Sequence, residues 1–386
     1  MPLFRKVYNL PPAIHDPGYF AFDPQISSLP DTVANWYPGH QHAAQRAITE
    51  KQLKRCDLTL QIGDARLPIT SVLSSMEDQF KDKKRILVFN KADLADPTTC
   101  EQARDYYRTQ CHGMPSCFVS VKAESSPTAA KKSRGINTIL ETAFALVKQT
   151  FKAVPTLLLV CGIPNVGKST IINALRSRHI SRQTPRDAIT HHQNRMLKKG
   201  AIARTGAHPG VTRSITSIVV SVNPDVVLVD TPGIMLPSLP DWPTALKFGL
   251  INAIPDKLID EILLAEFLLF VLQHKAPAGS RELFRARYSL QERSELRCDV
   301  NDNMSVLSAV ARRLNAKARG GADDLNLAAS HMLREYRSGA FGSFSLEDSD
   351  TLSRVKREHM RLEEELEAES ERAAAAAAAN GYRILR

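Results

Sequence analysis

A glycine-rich segment at residues 162–169 has the composition of a phosphate-binding loop. It reads Gly-Ile-Pro-Asn-Val-Gly-Lys-Ser and follows the apolar run 156–161, the setting that this motif requires. The glycines let backbone N–H groups wrap around phosphate oxygens, while Lys168 can neutralise the β- and γ-phosphates and the Ser169 hydroxyl can ligate Mg²⁺. The predicted phosphate contacts are Asn165, Val166, Gly167, Lys168, Ser169 and Thr170.

A second segment, Asn90-Lys91-Ala92-Asp93, predicts which base is bound. The Asp93 carboxylate can accept two N–H bonds from the edge of guanine, which adenine cannot supply. Residues 120–123, Ser-Val-Lys-Ala, stand where a loop behind the base belongs, with backbone N–H groups facing the guanine oxygen. The predicted ligand is therefore GTP or GDP and not ATP. The predicted base contacts are Asn90, Lys91, Asp93, Ser120, Val121, Lys122 and Ala123.

Two further segments predict the groups that meet the γ-phosphate and its metal ion. Asp230-Thr231-Pro232-Gly233 follows the apolar run 226–229, so Asp230 would hold Mg²⁺ through water and the Gly233 N–H would meet the γ-phosphate. Thr212 lies between this segment and the phosphate loop and is the candidate for contact with both Mg²⁺ and the γ-phosphate. The predicted magnesium ligands are Ser169, Thr212 and Asp230, and Lys168, Thr212 and Gly233 are predicted to act in catalysis.

The order of these motifs along the chain is inverted. In an ordinary GTP-binding domain the phosphate loop precedes the base-reading motif, whereas here Asn90 precedes Gly162. The inversion indicates a circular permutation, which domains tolerate because their termini usually lie at the surface and often close together. The new ends would fall between the switch region and the strand that carries the base-reading motif.

Short apolar runs predict the strands that must position these motifs. Because the runs alternate with helical segments, they predict an α/β fold with a doubly wound, mostly parallel sheet and ligand loops at the carboxyl ends of the strands. The predicted strands are 58–62, 85–89, 117–120, 156–161, 217–222 and 226–229, and the predicted helices include 42–55 and 136–151.

Beyond about Trp242 the pattern predicts helices alone. We therefore expect an extended arm over 1–32, the permuted GTPase domain over 33–241, an all-helical domain over 242–347 and a charged, alanine-rich tail over 348–386. In the tail, apolar residues recur at helical spacing before a polyalanine tract, and alanine is the best helix former. We expect a solvent-exposed helix there, and a partner-binding helix is the alternative.

Composition limits the class of protein without deciding its partner. The 386 residues carry a formal net charge of +10, with a pI near 9.3. Such a surface favours RNA or an anionic membrane, although plain solubility explains it as well. The six cysteines form no CxxC pair, so neither a zinc site nor a disulfide framework is predicted and a reducing compartment is expected. The apolar run 259–272 is short and contains acidic residues, so it predicts a buried helix and no transmembrane segment.

Together with residues 35–40, Asn-Trp-Tyr-Pro-Gly-His, and 64–68, Asp-Ala-Arg-Leu-Pro, the motif order resembles the circularly permuted YlqF/RbgA family of GTPases. The resemblance extends from about Val33 to Glu347 and is strongest toward mitochondrial ribosome-associated members. It implies GTP-dependent binding to the rRNA and proteins of the mitochondrial large ribosomal subunit during assembly, with release on hydrolysis. It also implies a place in the matrix, with peripheral association at the inner membrane left open, and we expect a monomer.

Two alternative functions remain open at this point. The chain could be a weakly hydrolysing or non-hydrolysing scaffold that binds rRNA when GTP is bound, or an assembly GTPase of cytosolic or nucleolar ribosomes. In each case basic residues of the helical domain and the basic insertion 181–205 are candidates for RNA contact, with a solvated loop as the alternative for the insertion. The candidate phosphate contacts in the helical domain are Arg312, Arg313, Lys317, Arg319, Arg334 and Arg337.

The residue after Gly233 leaves the mechanism of hydrolysis open. Ras-like proteins orient the attacking water with a glutamine at this position, but this chain has Ile234. Either hydrolysis is slow, or another residue positions the water. The resemblance implies that His40 does so, and its alternative role is to order the N-terminal segment. The resemblance also implies K⁺ binding at Asn165, for which a conformational role in the loop is the alternative.

Overall fold

A six-stranded sheet lies at the centre of the described part of the chain, in the order β3-β2-β1-β4-β6-β5. The computed structural model describes residues 49–72, 80, 83–111, 113–121, 129–147, 155–182, 216–222, 225–230, 239, 241–290, 302–347 and 349–381. The strands are β1 Leu58–Asp64, β2 Arg85–Asn90, β3 Ser116–Phe118, β4 Thr156–Gly162, β5 Thr216–Val222 and β6 Asp225–Asp230. Neighbours are parallel, except that β5 and β6 are antiparallel. The predicted doubly wound, mostly parallel sheet is confirmed.

The central strands are buried on both faces, which explains why their sequences are continuous apolar runs. Every residue of β1 and β2 is buried. Strands β1 and β4 pair in parallel, with Ile62 opposite Gly162. Their carboxyl ends therefore lie side by side, and the loops that begin at Asp64 and at Gly162 meet at one edge of the sheet, where ligands bind in folds of this type.

One predicted strand has different ends in the structure, and one predicted helix is described only in part. Strand β3 ends at Phe118 and not at Ser120. Val119 N still donates to Phe89 O of β2, but Val121 N donates to the Asn90 side chain and not to a strand carbonyl. Of the predicted helix 42–55, residues 49–55 are helical and the remainder lies outside the described residues.

Three helices pack around the sheet. They are α1 Pro97–Thr109, α2 Ala129–Leu146 and α3 Lys168–Arg182. Helix α2 begins seven residues before the predicted start at 136, because its first turns are rich in alanine and lysine, both strong helix formers. Gly135 within this helix allows close packing, since a Cβ there would lie 3.0 Å from a side-chain atom of Val119.

The described residues between 242 and 347 form helices and contribute no strand to the sheet, as predicted. These helices are α4 Trp242–Leu250, α5 Glu261–His274, α6 Ala278–Tyr288, α7 Asn303–Arg313 and α8 Leu325–Ser338. Asp241, Asp260, Asp302 and Asp324 cap α4, α5, α7 and α8 by accepting hydrogen bonds from backbone N–H groups of the first turn. Helix α5 is the buried helix predicted from the apolar run. None of the described helices is long and apolar enough to cross a membrane.

The core continues from the sheet into these helices. Leu60 of β1 and Val160 of β4 belong to the same buried hydrophobic cluster as Phe248 of α4, Leu268 of α5 and Val310 of α7. The helical segment is therefore packed against the sheet through apolar side chains, and it can hold loops at the sheet edge in place.

The tail forms a long helix, α9 Ser349–Gly381, but the prediction that it is solvent-exposed is wrong for its first turns. Leu352, Val355 and His359 are buried, and His359 Nδ1 lies 3.0 Å from the Tyr106 hydroxyl of α1. The apolar stripe at the start of the tail packs on α1, because burial of such a stripe stabilises a helix more than helix propensity alone.

Candidate nucleotide-binding site

The phosphate loop has the backbone that its sequence predicts. Strand β4 ends at Gly162 and α3 begins at Lys168. Gly162 and Gly167 have φ values of 147° and 94°, and Asn165 is left-handed at 57°. A Cβ on Gly162 would lie 2.1 Å from Ile62 O, and a Cβ on Gly167 would lie 2.3 Å from Asn90 Nδ2. Both glycines are therefore required by conformation and by space.

Lys168 lies under this loop. Its Nζ donates to Gly162 O at 3.1 Å and to Ile163 O at 2.8 Å. Burial lowers the pKa of Lys168 to about 8, against the opposing effect of the Asp230 carboxylate. The amine is thus held in a site where its charge is costly until an anion arrives.

GDP binding is expected to take up a proton at alkaline pH. Near pH 7 Lys168 is already protonated, but near pH 9 the free protein has lost that proton and bound phosphate restores it, since a nearby anion raises the pKa of an amine. Calorimetric titration in buffers of different ionisation enthalpy should therefore find close to one proton taken up at about pH 9 and far less at about pH 7. Equal uptake at both pH values would contradict the assignment.

The same lowered pKa has a defined effect on the free protein. Between about 8 and the ordinary value of 10.5 the unfolded chain holds a proton that the folded chain has lost. The contribution of Lys168 to the free energy of unfolding therefore rises with pH across that interval, and below it the cost of burying the charge is fully present.

The described magnesium candidates supply hard oxygen donors. Ser169 is the second residue of α3 and is partly exposed, and Asp230 ends β6 with 2% of its surface exposed. Asp230 is the register partner of Val160 on β4, just before the phosphate loop. Hydroxyl and carboxylate oxygens are ligands that Mg²⁺ prefers, so these residues fit that ion.

Asn90 joins three predicted segments of the base site. Its Nδ2 donates to Val166 O in the phosphate loop at 2.9 Å, and its Oδ1 accepts from Val121 N at 3.3 Å. Lys91 Nζ donates to Asn165 O at 3.0 Å. The base-reading motif, the phosphate loop and the 120–121 segment therefore lie together, although they are far apart in the sequence.

Asp93 is exposed at the sheet edge in a short 3-10 turn, Ala92–Leu94. Its Oδ1 accepts a hydrogen bond from the Ser120 hydroxyl. The carboxylate is thus available to a base, and Ser120 orients it. The remaining predicted site residues lie outside the described part of the chain; they are His40, Lys122, Ala123, Thr212 and Gly233, together with the neighbouring Ile234.

Comparison with known proteins agrees with this site. A family profile described as "50S ribosome-binding GTPase" matches residues 158–297. Mitochondrial ribosome-associated GTPase 1 of Xenopus tropicalis is 30% identical over 82% of this chain and 94% of its own length. Ribosome biogenesis GTPase A of Priestia megaterium is 30% identical over 81% of this chain and 96% of its own. The chain belongs to the circularly permuted YlqF/RbgA family of GTPases.

Among solved structures, GNP-bound YlqF from T. maritima is 21% identical and superimposes with a TM-score of 0.49, covering 79% of this chain and 99% of its own. Membership of the YlqF/RbgA family makes this chain a GTP hydrolase that binds guanine nucleotides.

One cluster in this YlqF/RbgA chain was not assigned a role from its sequence. Asp64, at the end of β1, is fully buried and forms a bidentate ion pair with Arg66, both N–O distances being 2.9 Å. Its Oδ2 also lies 3.0 Å from Lys91 Nζ. Burial alone would raise the pKa of Asp64, but the charges of Arg66 and Lys91 hold that pKa well below its ordinary range. The Asp-Ala-Arg motif contributed to the family resemblance, but nothing in the sequence indicated that Asp64 pairs with Lys91.

A second feature that the sequence did not predict joins the phosphate loop to the helical segment. Asn165 Nδ2 donates to Asn252 O at 2.7 Å. Asn252 follows α4 with a left-handed φ of 60°. The bond connects residues 87 positions apart, and no local pattern in either stretch indicates it.

Proposed function

We propose that this chain is a GTPase that assists assembly of the mitochondrial large ribosomal subunit. It binds the maturing particle in the GTP state and leaves it after hydrolysis. The observation that carries the proposal is the guanine-nucleotide site, which is built from motifs in permuted order and is bonded to the helical segment. The names of relatives that match most of the chain, mitochondrial ribosome-associated GTPase and ribosome biogenesis GTPase, support a ribosomal particle as partner and the mitochondrion as compartment.

The surface proposed to meet RNA lies on α6–α8 and the turn between α7 and α8. The exposed cations Arg285, Arg313, Arg319 and Arg334 are suited to phosphate contact. Arg312 and Lys317 are also exposed, although both share the Asp323 carboxylate. Mutating any one of these residues should reduce the salt dependence of binding rather than its selectivity.

The prediction that Arg337 contacts RNA is wrong. Its guanidinium binds the Asp256 carboxylate and donates to two backbone carbonyls, Gly249 O and Leu250 O. Only 16% of the Arg337 side chain is exposed, and its hydrogen bonds are made within the protein, so it is not available to RNA. The sequence could not separate it from Arg334, because both are arginines on the same helix.

For the nucleotide, we propose Mg²⁺ held through Ser169, Thr212 and Asp230, with Lys168 and the Gly233 N–H at the phosphates. The ion, when bound, neutralises charge on the β- and γ-phosphate oxygens. Lys91 and Asp93 bind the base, with Ser120, Val121, Lys122 and Ala123 behind it. We also propose that K⁺ binds at Asn165 and adds positive charge near the phosphates. The side-chain carbonyl of Asn165 would be its ligand.

Hydrolysis is proposed to depend on His40, since Ile234 offers water no hydrogen bond. GTP turnover should be measured with and without mitochondrial large subunits, in KCl and in NaCl, for wild type and His40→Ala. We expect strong stimulation by the subunits, a further gain in KCl, and a loss of about 100-fold in the stimulated rate of His40→Ala, the usual scale for a positioned acid–base group.

His42→Ala is the matched control, because it removes a histidine two residues away that has no assigned role. It should keep the stimulated rate. An absence of turnover under every condition, with GTP still bound, would support the scaffold alternative. Stimulation by cytosolic but not mitochondrial subunits would support a cytosolic or nucleolar function.

The proposed location is the mitochondrial matrix, and the proposed state is a monomer with domain limits at 32/33, 241/242 and 347/348. A tagged chain should co-fractionate with mitochondrial large subunits. Carbonate extraction of mitochondrial membranes then separates a free matrix protein from one that lies peripherally on the inner membrane.

A further inference from the structure

We propose that Asp64 and Arg66 are positioning residues that couple guanine-nucleotide binding to the packing of α8 on the sheet edge. The coupling runs from Lys91 through the two buried charges to Tyr336, and a second contact reaches the phosphate loop through Asn252. The coupling involves residues of the nucleotide site and of the helical segment. It does not depend on which particle the protein binds.

The first step is the charge balance at Lys91. The one carboxylate of Asp64 serves two cations, and Asp64 and Arg66 are 0% and 1% exposed. A buried charge pair of this kind is strongly disrupted when one partner is lost, because the other is left uncompensated. Lys91 itself has a left-handed backbone with φ of 60° and ψ of 35°, a conformation that a lysine adopts only when its surroundings hold it.

The second step joins Arg66 to the helical segment. The Arg66 guanidinium lies 5.2 Å from the centroid of the Tyr336 ring on α8, and Arg66 O accepts from Leu346 N at 2.9 Å. One residue further on, the Glu347 carboxylate accepts backbone N–H bonds from Ile69 and Thr70 at 2.7 and 2.8 Å. The loop after β1 is therefore bonded along its length to the chain after α8.

The third step involves the neighbour of Tyr336. Arg337 donates to Gly249 O at 2.8 Å and to Leu250 O at 3.0 Å, so it holds the end of α4 two residues before Asn252. Asn252 O in turn accepts from Asn165 in the phosphate loop. Two consecutive residues of α8 thus connect to the nucleotide site. Tyr336 reaches the base-reading motif through Arg66 and Asp64, and Arg337 reaches the phosphate loop through the end of α4 and Asn252.

Nucleotide binding and the packing of α8 must affect each other equally. If α8 seats the two loops in their binding conformation, nucleotide binding must stabilise α8 by the same factor, since a coupling free energy has one value whichever side is measured. The expected factor is about tenfold, within the ordinary range of such couplings.

The test uses the full-length protein and Tyr336→Leu, which removes the ring beneath Arg66 and leaves both nucleotide loops unaltered in sequence. We expect the Kd for a fluorescent GDP derivative to rise about tenfold. In wild type, GDP should slow hydrogen exchange of the α8 amides, and this protection should fall by a similar factor in the variant. Tyr336→Phe keeps the ring and should restore both quantities.

Tyr106→Leu is the matched control. Tyr106 is a buried tyrosine of α1 whose hydroxyl lies 3.0 Å from His359 Nδ1, so its partner lies on α9 and not on α8. Its loss should lower the unfolding midpoint while leaving GDP affinity and GDP-dependent protection of α8 at the wild-type level. An equal loss of GDP affinity in the two Leu variants would overturn the proposal, as would unchanged affinity in a folded Tyr336→Leu.

Arg66→Lys decides the question if Tyr336→Leu does not fold. It keeps a positive charge beside Asp64 but loses the planar fork that bonds both carboxylate oxygens and faces the ring. We expect Arg66→Lys to bind GDP more weakly than wild type. The same buried-charge argument predicts weaker GDP binding for Asp64→Asn. If Arg66→Lys kept both the wild-type GDP affinity and the wild-type protection of α8, the coupling would be refuted. GTP turnover is not needed for either readout, so failure of the ribosomal proposal leaves this test intact.

Discussion

Asp93→Asn is expected to convert the chain from binding guanine nucleotides to preferring xanthine nucleotides. A carboxylate accepts two hydrogen bonds from guanine, whereas an amide offers one acceptor and one donor, which matches the N–H and carbonyl oxygen at the same edge of xanthine. The amide can accept only one of the two guanine bonds, without a charge, and its NH2 group then opposes the other guanine N–H. Since each charge-assisted bond contributes about 1.5 kcal/mol or more and an unpaired buried donor costs a similar amount, GDP should bind at least ~100-fold more weakly. Competition between GDP and XDP for a fluorescent nucleotide measures the change.

Asp96→Asn is the matched control for this exchange. Asp96 lies three residues further along the same loop, where its carboxylate caps α1 by accepting from Thr99 N at 2.8 Å. Asparagine is an equally good helix cap, so this variant should keep the preference for guanine. If Asp93→Asn still prefers GDP to XDP, Asp93 is not the residue that reads the base.

Gly167→Ala is expected to abolish nucleotide binding while the sheet remains folded. The added Cβ would lie 2.3 Å from Asn90 Nδ2, at a φ of 94° that alanine rarely adopts. Backbone strain of about 2 kcal/mol and displacement of the Asn90 bonds, at about 2 kcal/mol, together weaken GDP by about 1,000-fold. Equilibrium binding and far-UV circular dichroism measure the two parts of this expectation.

The matched control is Gly279→Ala in α6, where a Cβ would meet no atom within 4 Å. Alanine favours a helix by about 1 kcal/mol over glycine at such a position, so this variant should bind GDP normally and unfold at a slightly higher temperature. Near-normal GDP affinity in Gly167→Ala would show that the loop binds phosphate in a different conformation from the one described.

The contacts around Asp64 and Asn252 show how the permuted order of motifs brings the helical segment to the nucleotide site. In this chain the helical segment follows β6 in the sequence, and its residues 249–252 and 336–347 reach both the phosphate loop and the loop after β1. A change at the nucleotide can therefore be passed to the helices through hydrogen bonds and buried charges, without a long connecting segment.

The strands were predictable because burial on both faces leaves an unambiguous apolar run. Leu58–Asp64 and Thr156–Gly162 were placed to within two residues for this reason. The start of α2 was missed because apolar spacing marks only the buried part of a helix, while the alanine and lysine of its first turns promote helix without such a pattern. The burial of α9 was missed because helical spacing shows that an apolar stripe exists but not which surface covers it.

By itself the sequence determined the nucleotide, the permutation and the family, since these depend on residue types at short spacing beside apolar runs. Only the tertiary structure decided which distant residues share a charge or a carbonyl. Arg337 binds Asp256 instead of being free for RNA, Asp64 joins Arg66 to Lys91, and Asn165 reaches Asn252. The physical reason is that a buried polar group must find its partner within about 3 Å in space, and distance along the chain places no constraint on which residue that is.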